Sequence, residues 1–108
     1  MKFCLALDLK NDKTLIEEYE QYHKDIWPEI IGSIKAAGIT AMEIYRVFDR
    51  LFMIMETDEY FSFEKKDEMD KNNHRVQEWE ELMWKYQRGL PGAKPGEKWQ
   101  LMQKIFEL

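Results

Sequence analysis

An unbroken run of five apolar residues constrains the fold of this chain more than any other segment: Leu51, Phe52, Met53, Ile54 and Met55. The run is short and bounded by turn formers, so it is predicted to be a strand, pairing antiparallel with Thr40–Val47 across the connection 48–50. Successive side chains of a strand point to opposite faces, so both faces of this strand require cover. A chain of 108 residues has too few helices to cover both. We therefore expect a second copy to cover one face, giving a homodimer.

The first third of the chain predicts a strand followed by a helix. Lys2–Leu9 alternates between apolar and other residues, as a strand does. A capping box, Thr14 with Glu17, is predicted to open a helix that runs to about residue 37, with an interruption before Pro28. Gly38 is expected to end it in the left-handed conformation.

The last third predicts further helices and a final strand. A short helix is expected from about residue 60 and a longer one over Asn73–Arg88, followed by a loop over 91–96 and a strand over Trp99–Leu108. The order βαββαβ indicates the α+β class, a ferredoxin-like plait whose copies form a dimeric α/β barrel. The length fits one domain over residues 1–108.

Charge and composition exclude several classes of partner. Sixteen basic and twenty-one acidic residues give a net charge of −5 without a basic stripe, which argues against nucleic acid. No apolar run approaches the ~20 residues that span a bilayer, so no membrane partner is expected. Cys4 is the single cysteine, which excludes a disulfide framework and favours the cytoplasm.

The candidate for chemistry is His23, because it interrupts an otherwise apolar helical stripe. Tyr19 lies one turn before it and Trp27 one turn after it, so aromatic side chains would frame a titratable imidazole. Trp27 and Trp79 are candidate stacking surfaces for a sugar, although large aromatics also build cores. The alternative for His23 is a partly buried structural histidine that one hydrogen bond satisfies.

Residues 19–29 of the chain resemble the L-rhamnose mutarotase family through the element His23-x-x-Ile26-Trp27-Pro28-Glu29. The likeness extends to the first strand, the helix end at Gly38, Trp79 and the terminal segment 102–106, so it covers nearly the whole chain. The family implies a dimeric α/β barrel that uses no cofactor and no metal.

The resemblance also implies site residues. His23 matches the family's proton-donating histidine and Tyr19 a tyrosine that contacts the sugar. Trp79 matches the first of two adjacent tryptophans that contact substrate, whereas the second is replaced here by Glu80. A further sugar-binding tyrosine is replaced by Met42. The implied function is an isomerase that interconverts the anomers of a 6-deoxyhexose, L-rhamnose first, with L-fucose or another sugar as the alternative.

Imidazole suits this reaction, since its pKa of about 6.5 lets it give and regain a proton near neutral pH. We expect His23 to protonate the ring oxygen, Tyr19 to orient the sugar and Trp79 to stack on it. The base stays open among Glu80, another hydroxyl and water.

Two other classes of function remain compatible with the sequence. One is a small dimeric-barrel monooxygenase, which the fold permits. The other is a non-catalytic sugar-binding module, which would keep binding sugar after loss of the histidine. Anomer exchange measured by NMR separates both from a mutarotase.

Overall fold

The computed structural model describes all residues, 1–108, and contains a single sheet with four helices. The strands and helices follow one another as β1 (Lys2–Leu9), α1 (Lys13–Lys24), α2 (Pro28–Ala36), β2 (Ile39–Val47), β3 (Arg50–Thr57), α3 (Phe63–Lys71), α4 (His74–Trp84), β4 (Gln87–Arg88) and β5 (Gln100–Leu101).

The sheet is antiparallel, with strands in the order β2-β3-β1-β4 and β5 also beside β1. Because β1 pairs with β3 over residues 2–8, the two short strands share its other edge. β4 pairs with Asp8 and Leu9, and β5 pairs with Leu5 and Ala6. This order confirms the ferredoxin-like plait, although its last strand is divided into two pieces.

The first predicted helix is two helices. Asp12 opens α1 by accepting a hydrogen bond from the Leu15 backbone N–H at 3.0 Å, so the predicted capping box of Thr14 and Glu17 was wrong. The predicted interruption is confirmed, because α1 ends at Lys24 and Pro28 is the first residue of α2. Proline is favoured there since its missing N–H is not needed in a first helical turn.

Gly38 joins α2 to β2 in the left-handed conformation, with φ at 96°. The prediction is therefore confirmed. The backbone conformation favours glycine, and a Cβ atom at this position would in addition lie 2.6 Å from Asp58 Oδ1, so the Asp58 side chain would have to move.

Two predictions for the end of the chain were wrong. α4 ends at Trp84 instead of residue 88, because residues 87–88 pair with β1 as β4. The strand expected over Trp99–Leu108 is paired only at residues 100–101. In the register of that pairing Lys104 would face Lys2, so residues 105–108 extend beyond the end of β1. They are exposed.

The two faces of the sheet differ in cover. On the face beneath the helices, Leu51, Met53 and Met55 are buried. On the opposite face Phe52 and Ile54 are only partly buried within one chain. We call this second surface the open face; around Phe52 and Ile54 it includes Cys4, Ala6 and Tyr45. None of the helices is long and apolar enough to span a membrane.

Candidate active site

A cavity of about 690 Å³ lies between the sheet and the helices. Its volume is within the range of about 300–1,000 Å³ that is typical of small-molecule sites. The sheet contributes apolar side chains, among them Leu5, Ile44 and Met53, and all four helices contribute to the remaining wall. Five of the six predicted site residues line this one cavity: Tyr19, His23, Met42, Trp79 and Glu80.

His23 lies in the last turn of α1, with its ring against two other aromatic rings. The centroid of the His23 ring lies 4.2 Å from the ring centroid of Tyr19 and 5.7 Å from that of Trp79. Nδ1 lies 2.8 Å from the backbone oxygen of Tyr19. Since a carbonyl oxygen only accepts, Nδ1 carries the hydrogen, and in the neutral ring Nε2 holds the free lone pair.

Burial disfavours the charged imidazolium and lowers the pKa of His23 below its usual 6.5, while the bond to the Tyr19 carbonyl opposes that shift. The resting side chain is therefore neutral at pH 7. Nε2 makes no hydrogen bond within the chain and remains available to a ligand.

Tyr19 is 3% exposed, at the wall of the cavity. Burial raises the pKa of its hydroxyl to about 12, so the phenol stays protonated at any physiological pH. Its oxygen lies 3.5 Å from Nε2 of Gln87. The hydroxyl hydrogen has no acceptor within the chain and can donate into the cavity.

Trp79 is a core residue that also borders the cavity. It is 6% exposed, and its ring contacts Tyr22, His23 and Trp27 at centroid distances of 6.2, 5.7 and 5.1 Å. Trp79 therefore packs against His23 and also presents part of its indole to the cavity.

Trp27 does not line the cavity, and its role as a sugar contact stays a prediction. Its indole packs against Trp79, and the Arg75 guanidinium lies 3.7 Å from its ring centroid. The turn between α1 and α2 places Trp27 just before Pro28, where it is the N-terminal flanking residue of α2. In a continuous helix it would have stayed on the face of His23.

Glu80 reaches the cavity but is held by a lysine. Lys98 Nζ lies 2.5 Å from Glu80 Oε2 and 2.9 Å from the Glu80 backbone oxygen. Its ammonium also lies 4.7 Å from the ring centroid of Trp84. The Glu80 carboxylate is thus already paired with a cation, which leaves it a poor candidate for the base.

Sequence reasoning did not single out most of the polar residues of the cavity wall, and two of them, Gln87 and Lys98, lie beside predicted site residues. Gln87 was expected on a helix, and Lys98 at the end of a loop. Neither position carries a local pattern that indicates a site, because only the pairing of β4 and the return of the chain at β5 bring them here.

Comparison with known proteins places the chain among sugar mutarotases. Residues 2–108 match the family model described as L-rhamnose mutarotase. An L-fucose mutarotase of Xanthomonas campestris pv. campestris is 43% identical over 109 residues, covering 99% of this chain and 87% of the relative. A UPF0734 protein of Dictyostelium discoideum is 36% identical and covers 98% of this chain and 88% of that protein.

Solved structures show the same fold at lower identity. An L-rhamnose mutarotase of Formosa agariphila has a TM-score of 0.73 at 17% identity and covers 100% of this chain and 98% of its own. The tetracenomycin F2 cyclase of Streptomyces glaucescens has a TM-score of 0.63 at 13% identity, with 100% and 96% covered. At these identities both likenesses concern the fold alone.

Proposed function

This chain belongs to the L-rhamnose mutarotase family and is a sugar mutarotase, an isomerase of carbohydrate anomers, and we propose that its substrate is a 6-deoxy-L-hexose bound in the cavity beside His23. L-Rhamnose and L-fucose are the two candidates, since each is named for a relative. They differ in configuration at C2 and C4 and share the anomeric carbon and the C6 methyl group. The apolar sheet residues Ile44 and Met53 suit a methyl group.

The observation that carries the proposed mechanism is the hydrogen bond between Nδ1 of His23 and the Tyr19 carbonyl. It fixes the orientation of the His23 ring and leaves Nε2 as the nitrogen that exchanges a proton with the sugar. Because the side chain is neutral at pH 7, it must gain a proton before it donates one. The anomeric hydroxyl is a source of that proton, and the ring oxygen that receives it is bonded to the same carbon.

One histidine therefore serves both steps. Nε2 takes the proton of the anomeric hydroxyl, the bond between C1 and the ring oxygen breaks, and the imidazolium returns the proton to that ring oxygen. The open aldehyde rotates about the bond between C1 and C2, and closure on the other face reverses the proton transfers. This removes the need for Glu80 as base, which agrees with its ion pair to Lys98.

We propose that the other cavity residues bind and orient the sugar. The Tyr19 hydroxyl donates a hydrogen bond, and the exposed part of the Trp79 indole packs on ring carbons. Met42 and Glu80 stand where the resembled family has aromatic residues, so they are proposed to set the sugar preference.

We further propose that the protein acts as a cytoplasmic homodimer. The partly buried Phe52 and Ile54 of the open face support a second copy against the sheet. The exposed apolar residues Ile105, Phe106 and Leu108 offer further contact area. The single, unpaired Cys4 suits a reducing compartment.

Exchange NMR on the anomeric protons tests the substrate proposal. L-Rhamnose, L-fucose and D-ribose are measured at equal concentration with and without protein, and the buffer rate is subtracted. We expect faster exchange for at least one 6-deoxyhexose and little acceleration for D-ribose, which lacks the C6 methyl group. Equal rates with and without protein for both 6-deoxyhexoses would refute the proposal.

A further inference from the structure

Gln87 is a buried amide in the wall of the cavity, and its hydrogen bonds are incomplete. It follows α4, pairs with Leu9 in the sheet and is 5% exposed. Its Nε2 lies 3.5 Å from the Tyr19 hydroxyl oxygen. Its Oε1 is buried and has no partner in the chain. Most buried polar groups in proteins are paired, so such an atom needs an explanation.

Stability does not explain this amide. A buried acceptor without a partner loses its hydration and gains nothing in return, whereas an apolar side chain of the same size would lose no such bond. The one side-chain hydrogen bond that Gln87 makes is to Tyr19. The polar groups of Gln87 are therefore better explained by a role in the cavity than by a contribution to the stability of the fold.

The contact with Tyr19 indicates how the Gln87 amide could act in the cavity. A phenol has one hydrogen to donate and an oxygen that accepts. If Gln87 donates to the oxygen, the hydrogen of Tyr19 is not used between the two residues and is directed elsewhere, toward the cavity that both side chains line. At 3.5 Å the bond is long for a hydrogen bond to a hydroxyl oxygen.

We propose that Gln87 is a positioning residue: its amide N–H holds the Tyr19 hydroxyl oxygen and so directs the Tyr19 hydrogen toward an oxygen of the sugar. The inference rests on the proposed function, in which Tyr19 contacts the substrate. Gln87 acts through Tyr19, so its effect requires the Tyr19 hydroxyl.

The variant Gln87→Met tests this, since methionine has a similar length and no hydrogen-bond donor. We expect an unchanged or higher melting temperature. We expect KM for anomer exchange to rise about 3- to 10-fold, the equivalent of one lost hydrogen bond, with kcat within about twofold. Gln103→Met, at an exposed position, is the control and should change neither. Gln87→Leu replaces Gln87→Met if the latter does not fold.

A double-mutant cycle with Tyr19→Phe separates positioning from packing. In the Tyr19→Phe background, Gln87→Met should leave KM unchanged, because the hydroxyl that Gln87 directs is absent. A KM effect of equal size in both backgrounds overturns the inference, as does a lower melting temperature with unchanged KM. Those results leave the proposed function intact, because that is decided by anomer exchange of the wild-type protein with the two 6-deoxyhexoses. If Tyr19→Phe itself leaves KM unchanged, this inference fails together with the proposed role of Tyr19.

Discussion

His23→Asn is the change that most directly tests the proposed chemistry. Asparagine keeps a polar side chain but cannot take up and release a proton near pH 7. General acid–base help is worth about 10²- to 10⁴-fold, so the exchange rate above buffer should fall by that factor. Sugar binding should persist, because Tyr19 and Trp79 remain in the cavity wall.

The structure also sets the cost of this change to folding. The hydrogen bond from Nδ1 to the Tyr19 oxygen contributes about 0.5–1.5 kcal/mol, and the ring contact with Tyr19 a similar amount. The free energy of unfolding should therefore fall by about 1–3 kcal/mol. Each kcal/mol lowers the melting temperature of a domain of this size by roughly 4–8 °C.

Exchange NMR and a thermal melt on the same sample distinguish the two effects. His74→Asn is the matched control, since the side chain of His74 is 93% exposed and should affect neither quantity. The reasoning is refuted if folded His23→Asn protein exchanges anomers at the wild-type rate. It also fails if the fraction of unfolded protein accounts for the whole loss of exchange.

Three further predictions concern pH, Trp79 and the open face. Burial lowers the pKa of His23, so turnover should be constant above pH 7 and fall as the pH drops through that lowered pKa; a rise in turnover toward pH 5 contradicts the neutral resting state. The same shift makes the free energy of unfolding depend on pH, because the unfolded chain binds the His23 proton more readily than the folded chain. The stability is fully present above about pH 6.5 and is lost as the pH falls through the lowered pKa of the folded state, which chemical denaturation measures. Trp79→Ala should lower stability by about 3–5 kcal/mol because the indole is buried, whereas Trp79→Phe should keep the fold and raise KM; unchanged KM would make Trp79 purely structural. Ile54→Lys on the open face should convert a dimer to a monomer in sedimentation at micromolar concentration, with Glu64→Lys as the exposed control; a monomeric wild type rules out the proposed assembly.

The fold was predictable where local patterns decide it. The alternation of Lys2–Leu9, the break before Pro28 and the helix end at Gly38 each follow from backbone chemistry within a few residues. The end of α4 was not predictable, because the chain turns at residues 85–86 and residues 87–88 then pair with β1, a partner distant in sequence. The C-terminal strand was overextended for a related reason: its apolar composition permits a strand, but the strand pairing with β1 stops at residue 101, and residues 105–108 extend beyond the end of β1.

The residues of the candidate site were likewise predictable only where local sequence spacing determines their positions. Tyr19 and His23 were found from spacing on one helix, where the sequence determines which side chains meet. Trp27 lies outside the cavity wall because the chain leaves the helical path between α1 and α2. Gln87 was missed since its position opposite Leu9 depends on the register of the sheet.

The break between α1 and α2 has a consequence for proton affinity. The aligned peptide groups of a helix place partial negative charge at its C-terminus, which favours a cation in the last turn by about 0.3–1 kcal/mol. His23 occupies that turn only because α1 ends at Lys24. A helix continuing through residue 37 would leave His23 in its middle, away from the partial negative charge of a helix end. The interruption before Pro28 thus brings the negative end of a helix dipole to the imidazole, where it acts against burial and in the same direction as the Tyr19 carbonyl.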